Sequence, residues 1–582
     1  MQTKTWLQGL LGTIVLLNFL FLVLMNQNHN QDSIHKRELA TMDNAVDGVY
    51  RFNDPITAYQ VLEKLDIFER VQVTEEELNR KYQRYHMSLI ADNKYCEKHR
   101  AFVVNHPEVI FKQQNIITSL IHNSLLRYRV IPEIGNDIQS NIGNRMPKEF
   151  QGKSVFDLRV DVNNFFTFFG MYGDRALGHQ YSCLSQSSNA IPGHDKLFRK
   201  DYISEGVVAY ADGYKSRPQC FNSDKFFLET YILYHEKACK DFFKMFKSQA
   251  YQDLKEERGG IVYMRKIGVN VHQGMGVFPI DDREETKILE MYKDGELCGQ
   301  LKSNNIIQYF VYNPLLLYGH KFDFRIYMLI ASANPVIAYY YDGFLRVSLH
   351  EYTPKSKELG ALLTNTALSK SAFSVAARNG TYKGMTEAEL KDFHLWNFQR
   401  LENYLYDNNV VTDRNWLDNY LRPEFRKALA HLVRMSQDSF KKLSSVYHLF
   451  GMDFMLDANL NLWFIEANAS PALEGFSAEM KTHVANMLKD HYEIIYGLLR
   501  SRMKRVIQYV NNIVKEGHVT RTNSGEILIN DLDQRRAEFQ RISSNYFESE
   551  FEPSPENKFQ PIINENFNDE RRYFNLIKEE CF

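Results

Sequence analysis

The chain has 582 residues, of which 44% are hydrophobic, and a formal net charge of −2. This length supports a sizeable core divided over two or three domains, and the 40 Phe and 34 Tyr residues exclude extensive disorder through the middle of the chain. Because both signs of charge are interspersed, bulk charge does not indicate a nucleic-acid-binding protein, and we expect no nucleic-acid partner.

The first predicted element is a membrane anchor. Residues 6–25 form an uncharged and almost wholly apolar run, of the length that a helix needs to cross a bilayer. No small-residue cleavage site follows, which favours a retained anchor over a removed signal peptide. Uniform apolarity also disfavours a buried core helix. The domain prediction therefore begins with an anchor at 1–25, a polar tether at 26–45 and a helical region at 46–150.

The cysteines show no metal-binding or redox spacing. Six are scattered along the chain: Cys96, Cys183, Cys220, Cys239, Cys298 and Cys581. In a chain of this length we interpret them as free thiols in a reducing compartment, although the even count leaves disulfides open.

Short apolar runs separated by turn-forming residues predict many strands in the second half of the chain. A strand-like run, GVVAYAD, comes first, and from residue 261 onward the pattern is typical of an antiparallel or mixed sheet. The later runs are IVYMRKI, MGVFPI, NIIQYFV, FDFRIYMLIAS, PVIAYYY, FLRVSLH, GMDFMLD and LWFIEAN. Helices are predicted at about 386–406, 412–446 and 477–514. The tail at 515–582 lacks periodicity, and we expect it to be partly disordered.

The last strand pair carries a candidate metal site. Glu466 and Asn468 are two residues apart, so their side chains leave the same face of the sheet. Asp453, in the partner strand, can approach the same patch, and three oxygen ligands suit Mg²⁺. The alternative is that Asp453 caps a turn and Glu466 is a surface charge. The apolar residues around both positions weigh against it, because a buried charge is costly unless it is compensated.

A cationic face follows a second motif, KFDFRIYMLI. Lys321, Asp323 and Arg325 alternate with apolar residues, which on its own fits a solvated sheet edge equally well. Arg346 and Lys370 follow on neighbouring elements. Together these cations suit a triphosphate and an anionic substrate.

A glycine-containing loop, KIGVNVHQGMGV, is the third motif. Lys266 ends a strand, and Gly274 and Gly276 bracket Met275. Backbone N–H groups of such a loop can enclose phosphates, although an ordinary hairpin explains the glycines equally well.

In this order the motifs resemble the tubulin tyrosine ligase-like family over about residues 190–500, and its tubulin polyglutamylases most. The upstream segment SSNAIPGHDKLFRKDYI, with Lys200, shares the resemblance. It implies an α+β ATP-grasp fold with antiparallel or mixed sheets over residues 151–514, and ATP with Mg²⁺ as cofactors. It also implies ligation of an amino acid to a protein carboxylate through an acyl phosphate.

The resemblance also implies a role for each matching residue. The implied ATP contacts are Lys266, Gly274, Gly276, Gln308, Val311, Lys321, Asp323, Thr364 and Asn365. The implied catalytic residues are Lys321, Asp323, Arg325, Arg346 and Lys370. The implied magnesium ligands are Asp453, Glu466 and Asn468.

Departures from the family pattern keep a second interpretation open. Gln273 replaces the cation before the glycine pair, the loop is about one residue longer than in the family, and Leu362 replaces a histidine. Tyr309 also stands where the family has a lysine or arginine. The chain is then either an active ligase or a catalytically impaired ATP-grasp module that binds tubulin or another acidic protein.

The donor and the acceptor follow from the same resemblance. Ile326 and Tyr327 resemble the glutamate-adding members more than the glycine-adding members, and the implied acceptor is the acidic tail of tubulin. Residues 500–505 offer either a basic docking surface or an ordinary solvated helix face. Because tubulin is cytosolic, we expect a single-pass, membrane-anchored protein whose catalytic region is cytosolic. The Asn-Ala-Ser sequon at Asn468 is consistent with that setting, because a glycan there would block a metal ligand.

Overall fold

The structure is a computed structural model. It describes residues 51–65, 158–159, 187–188 and 191–581, with gaps at 192, 268–275, 302–303, 357, 441, 443–445, 470, 472, 474–476 and 545–551. The predicted tether, most of the predicted helical region and Gly274 lie outside these residues.

The prediction of a membrane-anchored protein is corrected by the structure. No helix among the described residues is both long enough and apolar enough to cross a bilayer. Residues 6–25, on which the prediction was based, lie outside the described part of the chain.

The described residues form strands and helices in mixed order along the chain. The strands are β1 Leu158–Arg159, β2 Ser187–Ser188, β3 Thr230–Ile232, β4 Tyr263–Ile267, β5 Val277–Pro279, β6 Asn305–Tyr309, β7 Leu316–Leu317, β8 His320–Ala333, β9 Val336–Glu351, β10 Leu395–Trp396, β11 His448–Leu456, β12 Leu462–Asn468, β13 Val519–Arg521, β14 Ile527–Ile529 and β15 Gln560–Asn564. The α-helices are α1 Pro55–Leu65, α2 Asp195–Phe198, α3 Lys200–Gly213, α4 Glu236–Phe246, α5 Gln249–Glu257, α6 Asp282–Tyr292, α7 Leu359–Leu362, α8 Thr366–Asn379, α9 Glu387–His394, α10 Phe398–Asp407, α11 Arg422–Ser436, α12 Ala478–Lys515 and α13 Leu532–Ile542.

Two antiparallel sheets form the frame. The larger has the order β10-β9-β8-β11-β12, with β15 paired to β9 and β7 paired to β8. The smaller has the order β3-β6-β4-β5. The predicted α+β class with antiparallel sheets is thereby confirmed.

Helices cover both faces of the larger sheet. On one face, Phe425 and Leu429 of α11 join the main hydrophobic core, and on the other Met487 and Leu498 of α12 form a second core. Because both faces are covered, β11 is buried along its whole length and β8 is buried everywhere except at His320. Charged side chains on these strands must therefore find partners inside the protein.

Two predicted strands differ from the structure. GVVAYAD lies in α3, where Ile203 is buried and Val207 packs against the main core on one helical face. PVIAYYY and FLRVSLH are one continuous strand, β9, which passes through Gly343. A Cβ atom on Gly343 would lie 1.8 Å from the carbonyl oxygen of Arg325, so only glycine lets β8 and β9 stay paired there.

The candidate basic surface on α12 is also corrected. Arg502, Lys504 and Arg505 are only 2%, 7% and 5% exposed. A helix that is covered along this stretch cannot present these cations to an acidic tail.

The tail after residue 515 has more structure than its composition indicated. β13 and β14 form a hairpin, α13 follows, and β15 extends the larger sheet along β9. Short strands carry little periodicity, and pairing with a distant strand leaves no local signal.

The interpretation of the cysteines as free thiols is wrong for the four described ones. Cys220 is paired with Cys581 and Cys239 with Cys298, whereas Cys96 and Cys183 lie outside the described residues.

Candidate functional site

A cleft lies between the two sheets. The predicted residues that line it are Lys266, Gln308, Val311, Lys321, Asp323, Arg346, Thr364, Asn365, Asp453 and Glu466.

Buried arginine–aspartate ion pairs form one end of the cleft. Asp323 and Arg346 are direct partners across β8 and β9, and Arg346 donates two hydrogen bonds to Asp323, one of 2.9 Å. Arg346 also donates to Asp453 at 2.9 Å, and Arg325 donates twice to Asp453, at 2.5 and 3.0 Å. Alternation along β8 puts Asp323 and Arg325 on one face, as predicted.

A second pair of cations faces this network. Glu466 is the direct partner of Asp453 across β11 and β12, and Lys200 at the start of α3 lies 3.2 Å from its carboxylate. Lys266 of β4 donates to Gln308 of β6 at 2.5 Å. Lys200 matched the family only as part of a longer segment and was not among the predicted site residues. It begins a helix that was predicted as a strand, so local sequence patterns do not indicate that it reaches the cleft.

Burial changes the pKa values of these groups. Burial lowers the pKa of Lys321 to about 7 and the pKa of Lys266 to about 8. Burial raises the pKa of Glu466, but Lys200 and Lys266 outweigh it and hold that pKa at about 2. The carboxylate is therefore ionised at neutral pH, and an anion bound beside the two lysines would favour their protonated forms.

The other end of the cleft is apolar. Leu228, Val311 and Met455 pack together as a small buried cluster, with Ile465 beside them. Met264 of β4 also lines the cleft, and it packs with Phe310 and Leu362. Apolar walls next to cationic side chains suit a ligand with an aromatic base and a phosphate chain.

A loop and a buried histidine border the ionic end. Thr364 hydrogen-bonds to Asp323, and Asn365 precedes α8. His394, which is fully buried, contacts the carbonyl of Val347 through Nδ1 at 2.6 Å and the hydroxyl of Thr366 through Nε2 at 3.2 Å. Burial lowers the pKa of His394 to about 4, so it is neutral and fixes this loop against β9.

Some predicted site residues lie away from the cleft lining. Lys370 is exposed on α8, and Gly276 lies at the start of β5 with a φ of 76°. Arg325 acts on the cleft through Asp453. Asn468 also contacts Asp453, to which its Nδ2 donates at 3.3 Å.

The described residues contain no group of three or more His, Cys, Asp or Glu side chains that could hold a metal ion. The predicted magnesium ligands instead combine two carboxylates, on Asp453 and Glu466, with one amide. Asp453 Oδ1 accepts from Arg325 Nε and keeps a second acceptor direction. These oxygen atoms fit Mg²⁺ that arrives with a nucleotide and shares its phosphates, which is the usual form of such sites.

The structure describes two of the residues that depart from the family pattern, Tyr309 and Leu362. The guanidinium of Arg258 lies 4.8 Å from the ring centroid of Tyr309, so a cation is present beside the tyrosine that replaces one. Leu362 is fully buried and packs with Ile261 and Phe310, making that wall apolar. Gln273 lies outside the described residues.

Comparison with known proteins places this site in a family. The model of the Tubulin-tyrosine ligase family matches residues 180–504, more than half of the chain. The resemblance predicted from the motifs is thereby confirmed.

The names of the similar proteins refer to several different activities. They include the inactive polyglycylase TTLL10 of Homo sapiens, 24% identical over 335 residues that cover 55% of this chain and 46% of that protein. The protein polyglycylase TTLL10 of Rattus norvegicus is 28% identical over 261 residues, 43% of this chain and 35% of that protein. The tubulin monoglutamylase TTLL4 of Homo sapiens is 29% identical over 188 residues, which cover 32% of this chain and 15% of that protein. The chain thus spans less than half the length of each of these relatives.

Proposed function

The chain belongs to the tubulin-tyrosine ligase family, and on this premise we propose that it is an ATP-dependent ligase that joins an amino acid to a carboxylate of a protein acceptor. The observation that carries the proposal is the pairing of Asp453 with Glu466 beside Lys200, Lys266 and Arg346 at one end of the cleft. Oxygen ligands beside converging cations are the parts that phosphoryl transfer requires.

The cleft can hold the nucleotide in one orientation. The base fits the apolar end, around Val311 and Met455, and the phosphates fit the end with Lys266 and Arg346. Mg²⁺, when bound to Asp453 and the other two oxygen ligands, would neutralise charge on the phosphates.

The proposed reaction has two steps. A carboxylate oxygen of the acceptor attacks the γ-phosphorus of ATP, the bond to the β-phosphate oxygen breaks, and an acyl phosphate and ADP form. The amine of the incoming amino acid then attacks the acyl carbon, phosphate leaves with the bonding electrons, and the nitrogen loses a proton to give an amide. Neither step needs a nucleophilic side chain, so Lys321 and Arg346 act by binding and neutralising charge.

The donor and the acceptor are proposed from the relatives and the motifs. Ile326 and Tyr327 favour glutamate, although the relatives include polyglycylases as well as a glutamylase. Tubulin, named in the monoglutamylase relative, is the first acceptor to test.

A second candidate is a catalytically impaired module that binds ATP and an acidic protein. Leu362 favours it, because an apolar wall there cannot donate a hydrogen bond to a substrate as a histidine would. One relative is named an inactive polyglycylase. The intact set of Asp453, Glu466 and Asn468 favours the active ligase.

The experiment that tests the proposal measures label transfer. The full chain is mixed with purified tubulin, Mg²⁺-ATP and labelled glutamate, glycine or tyrosine in parallel reactions. Glu466→Gln removes one charge from the proposed metal site with little change in shape. Glu290→Gln, at an exposed position on α6, is the matched control.

Label from one amino acid that persists in Glu290→Gln and is lost in Glu466→Gln would establish the ligase and identify its donor. Full activity in Glu466→Gln would refute the role of this carboxylate. ATP binding without transfer of any amino acid to tubulin would favour the impaired module or an acceptor other than tubulin.

A further inference from the structure

Two buried cysteine pairs have the geometry of disulfide bonds. The Cα atoms of Cys220 and Cys581 are 5.4 Å apart, and those of Cys239 and Cys298 are 5.6 Å apart. Both distances are typical of disulfides. The four side chains are at most 5% exposed, so solvent has little access to either bond.

The shorter link supports the smaller sheet. Cys239 lies on α4 and Cys298 follows the turn after α6, and the two bond across 59 residues. They share a hydrophobic core with Tyr263 of β4 and Ile307 of β6. These strands carry Lys266 and Gln308, so the bond holds the helices that back one wall of the cleft.

The longer link joins the C-terminal segment to the other wall. Cys220 and Cys581 are separated by 361 residues. Cys220 precedes Phe226, whose carbonyl accepts from the N–H of Phe464 at 2.8 Å. Phe464 lies two residues before Glu466 on β12, so this bond fixes the segment that packs beside the ionic end of the cleft.

The redox state of these cysteines depends on the compartment. Each bond forms when two thiols pass two electrons and two protons to an oxidised thiol–disulfide exchange protein, which becomes a dithiol. Reducing systems in the cytosol favour the reverse reaction, whereas compartments of the export pathway keep such bonds oxidised. In each of the two pairs, both cysteines are buried and lie at the distance of a disulfide bond. Chance proximity does not readily explain two such pairs.

We infer that this domain matures in an oxidising compartment and that its acceptor is an exported protein with an accessible carboxylate. The inference rests on the proposed ligase function, because an enzyme must share a compartment with its acceptor. It replaces the reducing setting that the scattered cysteines indicated.

The first test measures the redox state of the full chain made in eukaryotic cells. The cells are acidified and free thiols are blocked with N-ethylmaleimide, after which the protein is reduced and blocked with the deuterated reagent. We expect the deuterated label on Cys220, Cys239, Cys298 and Cys581 by mass spectrometry. The undeuterated label on either pair would overturn the inference.

The second test compares acceptors. The purified oxidised chain receives Mg²⁺-ATP, the labelled amino acid, and either the secreted proteins of the same cells or purified tubulin. We expect label on secreted proteins, falling by about tenfold or more after reduction with dithiothreitol, because reduction frees both walls of the cleft. Cys239→Ser/Cys298→Ser should show a smaller loss, because it lacks only one of the two bonds, and dithiothreitol should then lower its remaining activity through Cys220–Cys581.

The two tests separate the failure of this inference from the failure of the ligase proposal. A chain with four reduced cysteines that labels tubulin would overturn the inference and support the ligase. Oxidised cysteines with no label on either acceptor would overturn the ligase proposal, and with it the assignment of an exported acceptor.

Discussion

Arg325 and Asp453 face each other across β8 and β11 and form a two-point ion pair, with Nε–Oδ1 at 2.5 Å and Nη2–Oδ2 at 3.0 Å. The residues are 7% and 1% exposed. Removing one partner of such a buried pair typically costs about 3–5 kcal/mol, because the other charge is left without compensation. Asp453 is therefore held in place before any ligand enters the cleft, which is the preorganisation that electrostatic catalysis needs.

Gly451 leaves the space in which this pair forms. A Cβ atom there would lie 2.8 Å from Cβ of Pro471 and 3.0 Å from Cδ of Arg325. We predict that Gly451→Ala displaces the arginine side chain, lowers the free energy of unfolding by about 1–3 kcal/mol, and lowers ligase activity. Urea denaturation and the label-transfer assay measure the two effects.

Gly213→Ala is the control for this substitution. Gly213 ends α3, and an added Cβ atom would meet no heavy atom within 4 Å. Its unfolding free energy should change by less than about 1 kcal/mol, in the stabilising direction. Equal losses in the two variants would show that the space beside Arg325 is not what matters.

The pH dependence of stability should report on Lys321. Burial lowers its pKa from 10.5 to about 7. Between these pH values the unfolded chain binds more protons than the folded chain, so stability rises with pH, by up to about 1.4 kcal/mol per pH unit for one group. We predict that Lys321→Met flattens this rise in urea denaturation at pH 7, 8 and 9.

Lys244→Met, at an exposed position on α4, is the matched control and should keep the slope of the unmodified chain. An unchanged slope in Lys321→Met would contradict the lowered pKa. Binding of ATP should weaken as pH rises above about 7, because the phosphates bind the protonated lysine better than the neutral one.

Much of the ionic site follows from local spacing. Lys321, Asp323 and Arg325 share a face because strands have a period of two, and Asp453 meets Glu466 because a tight turn joins their strands. The sequence could not place Lys370, which α8 turns outward, since helix orientation depends on packing.

Long-range contacts are what the sequence did not show. Lys200 reaches Glu466 from an element 266 positions earlier in the chain, and β15 pairs with β9 across more than 200 residues. Both contacts depend on the folded arrangement of whole elements and leave no periodic pattern.

Lys200 should contribute to ATP binding through its position beside Glu466. The two side chains lie 3.2 Å apart, and Lys200 lines the cleft. We predict that Lys200→Met raises the KM for ATP about tenfold, equivalent to about 1.4 kcal/mol, because a cation is lost where the phosphates would lie. Steady-state kinetics at varied ATP measures the change.

Two variants test the explanation. Lys200→Arg keeps the charge and should lose less affinity than Lys200→Met. Lys215→Met removes a surface cation that pairs with Asp212, where both side chains are more than half exposed, and should leave the KM unchanged. A KM that is unchanged in Lys200→Met would remove this lysine from the site.

The C-terminal strand should be part of the folding unit. Ile563 of β15 is fully buried in the main core, opposite Ala338 of β9. We predict that Ile563→Ala lowers the free energy of unfolding by about 2–5 kcal/mol, because it leaves a cavity between the sheet and α11. Leu528→Ala, in the β14 hairpin strand where the side chain is 49% exposed, should change it by less than about 0.5 kcal/mol. Chemical denaturation of the full chain measures both, and similar small effects would mean that the segment after residue 515 is dispensable for the core.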